Sequence, residues 1–184
     1  MLKIHQDIFD KKWLDDLAYD LIRQPWYASN IANRKTWPNG DKGTHLLFGT
    51  TYFVRRDDNI IHYANNNLDL CYALINSFSA IQNRVRRKMR LREILANLQF
   101  QGMDGTLHTD GGNENDSIFI LMLSNENVTE DMGGEFFHQP TNTFVNFEHG
   151  KLIEQSGADL HRGYAFKKPY VPRMSIKYVG ENEN

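Results

Sequence analysis

The chain has 184 residues, with 21 Lys and Arg against 23 Asp and Glu and a formal net charge of -2. That balance gives no global attraction to nucleic acid and leaves only local patches to consider. A single cysteine excludes an internal disulfide framework and fits a reducing compartment. The start of the chain is too charged for a signal peptide, and no apolar run is long enough to cross a bilayer. The expectation is one domain over residues 1–184, cytoplasmic (intracellular and soluble), with no membrane partner.

In chain order, residues 10–23 place Leu14, Leu17, Ala18 and Leu21 at helical spacing behind Asp10, a natural N-cap. Trp26-Tyr27 and Trp37-Pro38-Asn39-Gly40 put aromatics in loops; they suit either a substrate lid or, for Trp26, the core. Residues 46–56 read as a strand pair or one long strand. Asn65-Asn66-Asn67 then breaks the chain before a helix over about 68–88, whose stripe of Leu74, Ile75, Phe78 and Val85 surrounds Cys71 and favours packing over reactivity for that thiol. The basic run 84–92 reads as a solvated helix end, with a nucleic-acid contact as the sharper alternative.

From Ile94 onward the pattern changes to short β-like runs at 97–100, 118–123, 135–138, 143–147, 151–154 and 175–179, separated by Gly, Asn and Asp turns. Strands following helices imply an α+β chain with a mainly β core, a jelly roll buttressed by helices. The division expected is a helical and lid part over about 1–93 and a β core over about 94–179.

The chemistry concentrates in His108-Thr109-Asp110, His161 and Arg173-Met174-Ser175. A His-x-Asp triplet alone is weak, but this one follows a strand and a glycine-bearing turn, where a rigid sheet can orient ligands. Two neutral imidazoles and one carboxylate on one face of a cation leave the opposite face open, as in non-haem Fe(II) oxygenases. The planar fork of Arg173 matches the far carboxylate of a dicarboxylic co-substrate. Gly133-Gly134 reads as a bulge or tight turn, since no helix follows to make a phosphate cradle. His45, His62, His138 and His149 read as surface or ordinarily hydrogen-bonded residues.

The order Asn97, His108-x-Asp110, Gly133-Gly134-Glu135, Gly150, His161 and Arg173-x-Ser175 resembles the 2-oxoglutarate/Fe(II)-dependent dioxygenases of the prolyl 4-hydroxylase-like group, including small bacterial and phage members. His161 follows His108 by 53 positions, and Arg173 follows His161 by 12; both are spacings that group uses. The resemblance implies a distorted double-stranded β-helix of cupin-like type with supporting N-terminal helices. It implies Fe(II) held by His108, Asp110 and His161, with 2-oxoglutarate bound by Arg173 assisted by Ser175, and with Asn97 and Gln99 nearby. Dioxygen is the other co-substrate, and ascorbate is an admissible addition. The activity implied is hydroxylation of an unactivated carbon, in a prolyl or other side chain of a protein or peptide or in a small molecule, with release of succinate and CO2. Gln99 departs from the group, many of whose members carry a Tyr there that reaches the co-substrate. The nucleic-acid dealkylases carry a second Arg where this chain has Val179, so a nucleobase substrate stands second and a non-catalytic cupin-like metal-binding module third.

Overall fold

A computed structural model of the chain describes residues 1–30, 47–56, 60–63, 65–110 and 113–183. Helix α1 (Lys11–Ile22) starts where the Asp10 carboxylate accepts a 3.2 Å hydrogen bond from the Trp13 amide, satisfying a donor that the helix itself cannot pair. Its stripe of Leu14, Leu17, Ala18 and Leu21 is buried. Helix α2 (Leu68–Val85) is capped in the same way by Asn67, which accepts from the Leu70 amide at 3.1 Å. It stops at Arg86, which takes the left-handed conformation with φ 53°.

Eleven strands are described: β1 (Lys3–His5), β2 (Tyr27–Asn30), β3 (Leu47–Arg55), β4 (Ile61–Tyr63), β5 (Met89–Gln99), β6 (Asp116–Leu123), β7 (Phe136–His138), β8 (Thr143–Val145), β9 (Leu152–Ser156), β10 (His161–Gly163) and β11 (Arg173–Asn182). The large sheet has the order β1-β9-β6-β11-β5-β3-β2, with β4 added to β3; the small one has the order β10-β7-β8. All pairings are antiparallel. This open, two-sheet arrangement is the expected double-stranded β-helix with helical support.

Alternation along β11 explains the two cores. Met174, Ile176 and Tyr178 join Ile94, Ala96 and Leu98 of β5 and the buried faces of both helices in one cluster. Val179 joins Ile118, Ile120 and Met122 of β6, Ile153 of β9, and Phe136 and Val145 of the small sheet in a second. The first core therefore lies between helices and sheet, the second between the sheets. Arg173, Ser175 and Lys177 fall on the intersheet side of β11, and that register positions the site.

The structure places the strand expected over 46–56 as β3 and adds further strands to the first half. Residues 1–93 hold not only α1 and α2 but β1 to β4 and the start of β5, and β3 pairs directly with β5. Strands of three residues such as β1 and β4 carry too little alternation to announce themselves. The basic run starts at a helix end, with Arg84 in the last turn of α2 and Arg86 at its C-cap, and then continues into β5, which Met89 opens. Three of its guanidinium groups are tied into the fold, with Arg87 paired to Glu154, Arg90 to Glu181 and Arg92 to Asp116. Cys71 is fully buried in the helix-side core, as expected. Trp26 packs partly buried against that core, whereas Tyr27 is exposed. The lid segment Trp37-Pro38-Asn39-Gly40 and His45 lie outside the described residues.

Leu74, fully buried where α2 meets the sheet, tests this packing. Leu74→Ala is expected to cost about 3 kcal/mol in urea denaturation, because the cavity cannot fully collapse.

Candidate active site

Two segments distant in sequence are stitched together at the site. The His108 amide donates to the His161 carbonyl at 3.0 Å and the His161 amide donates back to His108 at 2.9 Å, so the two rings lie with centroids 4.5 Å apart. Asp110 completes the group: its Oδ2 is 3.1 Å from His161 Nε2 and its Oδ1 is 3.7 Å from His108 Nε2. One potential ligand atom from each of the three residues lies within 4.8 Å of the others.

The hydrogen bonds set the imidazole tautomers. His108 Nδ1 is 2.7 Å from the Thr106 carbonyl. A carbonyl only accepts, so Nδ1 carries the hydrogen and Nε2 offers a lone pair. His161 Nδ1 faces the Asp159 carbonyl at 3.0 Å and is protonated for the same reason. The Gln155 amide also abuts that nitrogen at 2.6 Å, and its Oε1 has no other partner. The amide orientation that presents Oε1 to Nδ1–H satisfies both groups. Both imidazoles are thereby aimed, Nε2 first, at the space beside Asp110.

The electrostatics favour an ionised Asp110 and a neutral His161, while the Asp110 charge draws His108 the other way. Burial alone would raise the Asp110 carboxyl, but the Lys177 charge and the two imidazoles hold it well below the usual carboxylate range. Burial lowers His161. Burial also works to lower His108, yet the Asp110 hydrogen bond and charge leave it raised. An ionised carboxylate with two imidazole lone pairs is a donor set that fits a divalent cation. The set suits Fe(II) and equally admits Mn²⁺, Co²⁺ or Ni²⁺. Among the described residues no second cluster of His, Cys, Asp or Glu is gathered in this way.

A pocket joins this group to Arg173; Asn97, Gln99, Ser175, Lys177, Ile120 and Phe136 also line it. Arg173 is only 2% exposed, and burial pushes its guanidinium down to about 10 while the charges of Glu135 and Asp104 oppose that fall. It remains a cation at neutral pH. Nε donates to the Gly134 carbonyl at 2.9 Å and Nη1 donates to Gln99 Oε1 at 2.7 Å. Its flat face lies against Gly163, where a Cβ would stand 3.1 Å from both Nη1 and Nη2. The two glycines act differently: Gly134, at φ 82°, leaves room for the Phe166 ring, and Gly163 leaves room for the guanidinium.

The structure brings most of the sequence-predicted residues together around one pocket. His108, Asp110 and His161 converge; Arg173 and Ser175 line the same pocket; and Asn97 stands opposite Ser175 across β5 and β11. Gln99 stands opposite Arg173, but its amide is already engaged. Nε2 donates to the Met103 and Gly163 carbonyls at 2.7 and 3.1 Å, and Oε1 accepts from Arg173. It supports the arginine rather than offering a free donor to a ligand. His138 is fully buried between Thr141 and Asp159 and pairs with His161 across β7 and β10. Lys177 and Glu93, which carry no motif, are the residues that sequence reasoning missed.

No protein-family model and no curated protein matches this sequence. Solved structures do match. A 2OG-Fe(II) oxygenase family oxidoreductase from Burkholderia pseudomallei superposes with a TM-score of 0.72 at 16% identity, over 100% of this chain and 86% of that one. A Pseudomonas putida prolyl-4-hydroxylase gives 0.63 at 14% identity, over 100% and 93%. HygX from Streptomyces hygroscopicus, solved with nickel, 2-oxoglutarate and hygromycin B bound, gives 0.58 at 12% identity, over 97% and 82%. At such identities the likeness shows the fold: this chain has the fold of 2OG-Fe(II) oxygenases, prolyl hydroxylases among them.

Two predictions test the geometry. Adding Co²⁺ or Zn²⁺ to metal-free protein is expected to raise its thermal midpoint and to do so far less in His161→Ala or Asp110→Ala. An undiminished shift in both variants would place the cation elsewhere. Gln99→Leu strands the Arg173 Nη1 donor and two carbonyls, and should cost about 2 kcal/mol in urea denaturation.

Proposed function

We propose that this protein is an Fe(II)- and 2-oxoglutarate-dependent dioxygenase that hydroxylates an unactivated carbon. The observation that carries the reading is one pocket lined both by a two-histidine, one-carboxylate group and by a buried arginine. A metal-binding module has no need of such an arginine. A carboxylate arriving at Arg173 meets a guanidinium already oriented by Gly134 and Gln99, so little ordering remains to be done.

His108, Asp110 and His161 would hold the iron, whose open face would take the keto acid end of 2-oxoglutarate and dioxygen. The iron with its co-substrates supplies the oxidising chemistry: one oxygen atom enters a substrate C–H bond, and the other leaves in succinate as CO2 is released. The protein's own part is placement. Arg173 pairs with the distal carboxylate, with the Ser175 hydroxyl beside it. Ile120 and Phe136 line the pocket with apolar surface that limits water where an oxidant is generated.

The substrate class that best suits the fold is a prolyl or other side chain in a peptide, or a small molecule. The structural relatives include a Trichoplax adhaerens prolyl hydroxylase in complex with a peptide fragment and HygX with hygromycin B. A nucleobase substrate stands lower. The basic run that motivated it spends Arg87, Arg90 and Arg92 on carboxylates of its own fold, leaving less charge for phosphates.

Anaerobic addition of Fe(II) and then 2-oxoglutarate to metal-free protein should produce a weak visible charge-transfer band that needs both. With iron bound and no band, the binding-module reading takes the lead. Arg173→Met should raise the 2-oxoglutarate concentration needed for the band by roughly tenfold or more, the size of a lost charge-assisted pair, while leaving iron binding in place. Succinate release across panels of peptides, small molecules and single-stranded nucleic acids then assigns the substrate.

A further inference from the structure

Asp110 lies between β5 and β6 rather than on a strand, yet its carboxylate is firmly held. Lys177 Nζ donates to Asp110 Oδ1 at 3.0 Å and lies 3.2 Å from Glu93 Oε2. The Lys177 and Asp110 side chains are 12% and 9% exposed, so this ion pair is largely shut away from water. Lys177 leaves β11 four residues beyond Arg173 on the same strand face, opposite Leu95 of β5 and Ile120 of β6. The two oxygens of Asp110 therefore have different close neighbours: Oδ1 carries the ammonium at 3.0 Å, with His108 Nε2 farther off at 3.7 Å, and Oδ2 faces His161 at 3.1 Å.

We infer that Lys177 is a positioning residue that reserves Oδ1 of Asp110, leaving Oδ2 as the carboxylate atom offered to the metal. This rests on the proposed iron site and specifies how it is kept open. A free carboxylate can grip a divalent cation with both oxygens, and the second grip fills a position that a co-substrate needs. A charge-assisted hydrogen bond in a dry site opposes that rotation. Glu93 holds the ammonium from the other side. The ammonium also repels an approaching dication, so Lys177 works against metal affinity while preserving the vacant face. Groups that merely support a ligand tighten metal binding; this one sets the number of ligand atoms.

The test uses Co²⁺ as probe on metal-free wild type, Lys177→Met and Lys177→Arg. The Met variant should bind Co²⁺ at least as tightly as wild type, with a shifted d–d absorption spectrum. Its cobalt form should bind 2-oxoglutarate roughly tenfold more weakly. The Arg variant, which keeps a cation at Asp110, should retain the wild-type spectrum. A Met variant with wild-type spectrum and wild-type 2-oxoglutarate affinity overturns the inference. So does one whose Co²⁺ affinity falls with the spectrum unchanged, because Lys177 then only packs. Circular dichroism checks the fold, and Lys177→Gln replaces the Met variant if that one does not fold. Failure of wild type to bind Co²⁺ would sink the metal site itself. Cobalt binding without any 2-oxoglutarate effect in wild type would sink the co-substrate reading, and the spectra would still report on Lys177.

Discussion

A guanidinium removed from water must be answered by acceptors on every side, and the burial of Arg173 imposes that demand on its whole neighbourhood. Its Nε requires a carbonyl, supplied by Gly134 in a backbone conformation that a side chain would resist. Its Nη1 requires a second acceptor, supplied by Gln99 directly across the β5–β11 pair. Its flat face requires a neighbour without a Cβ, supplied by Gly163. Leaving one of these demands unmet would strand a buried donor, which costs more than the bond itself contributes. The register between β5 and β11 is thus fixed by charge as well as by apolar alternation.

The same strand gives the site its directionality. Because side chains alternate, Arg173, Ser175 and Lys177 share one face of β11 while Met174, Ile176 and Tyr178 anchor the other face to the helices. One rigid element therefore presents the proposed co-substrate clamp and the partner of the proposed metal-binding carboxylate. Strands on both sides hold it, so the distances between these groups vary little with loop motion.

Much of this was legible in the residues. His108, Asp110, His161 and Arg173 announce themselves because their chemistry is rare in combination and their spacing is particular. The strands from Ile94 onward show clear turn signals. Gln99 was placed at the site, but its role was legible only from the register that sets it against Arg173. Lys177 was not legible at all. A lysine within an apolar strand reads as a solvent-facing residue, and its partners Glu93 and Asp110 stand far from it in the chain. The basic run was only half legible: six cations within nine residues suggest a surface, and Arg84, Arg86, Lys88 and Arg90 are exposed, but the carboxylate partners of Arg87, Arg90 and Arg92 lie on β9, β11 and β6. Pairings at long sequence separation leave no local trace.

The two-way backbone bridge between His108 and His161 has a consequence for how the site comes into being. Its partners are separated by 53 positions, so the chain must close a large loop, at an entropic cost, before either imidazole meets the other. The clamp arrives later still along the chain, on β11. His108 and Asp110 are local neighbours, and the third member of the group, His161, joins them only when that loop closes. Capture of a cation at the proposed site would consequently report on completed tertiary structure rather than nucleate it.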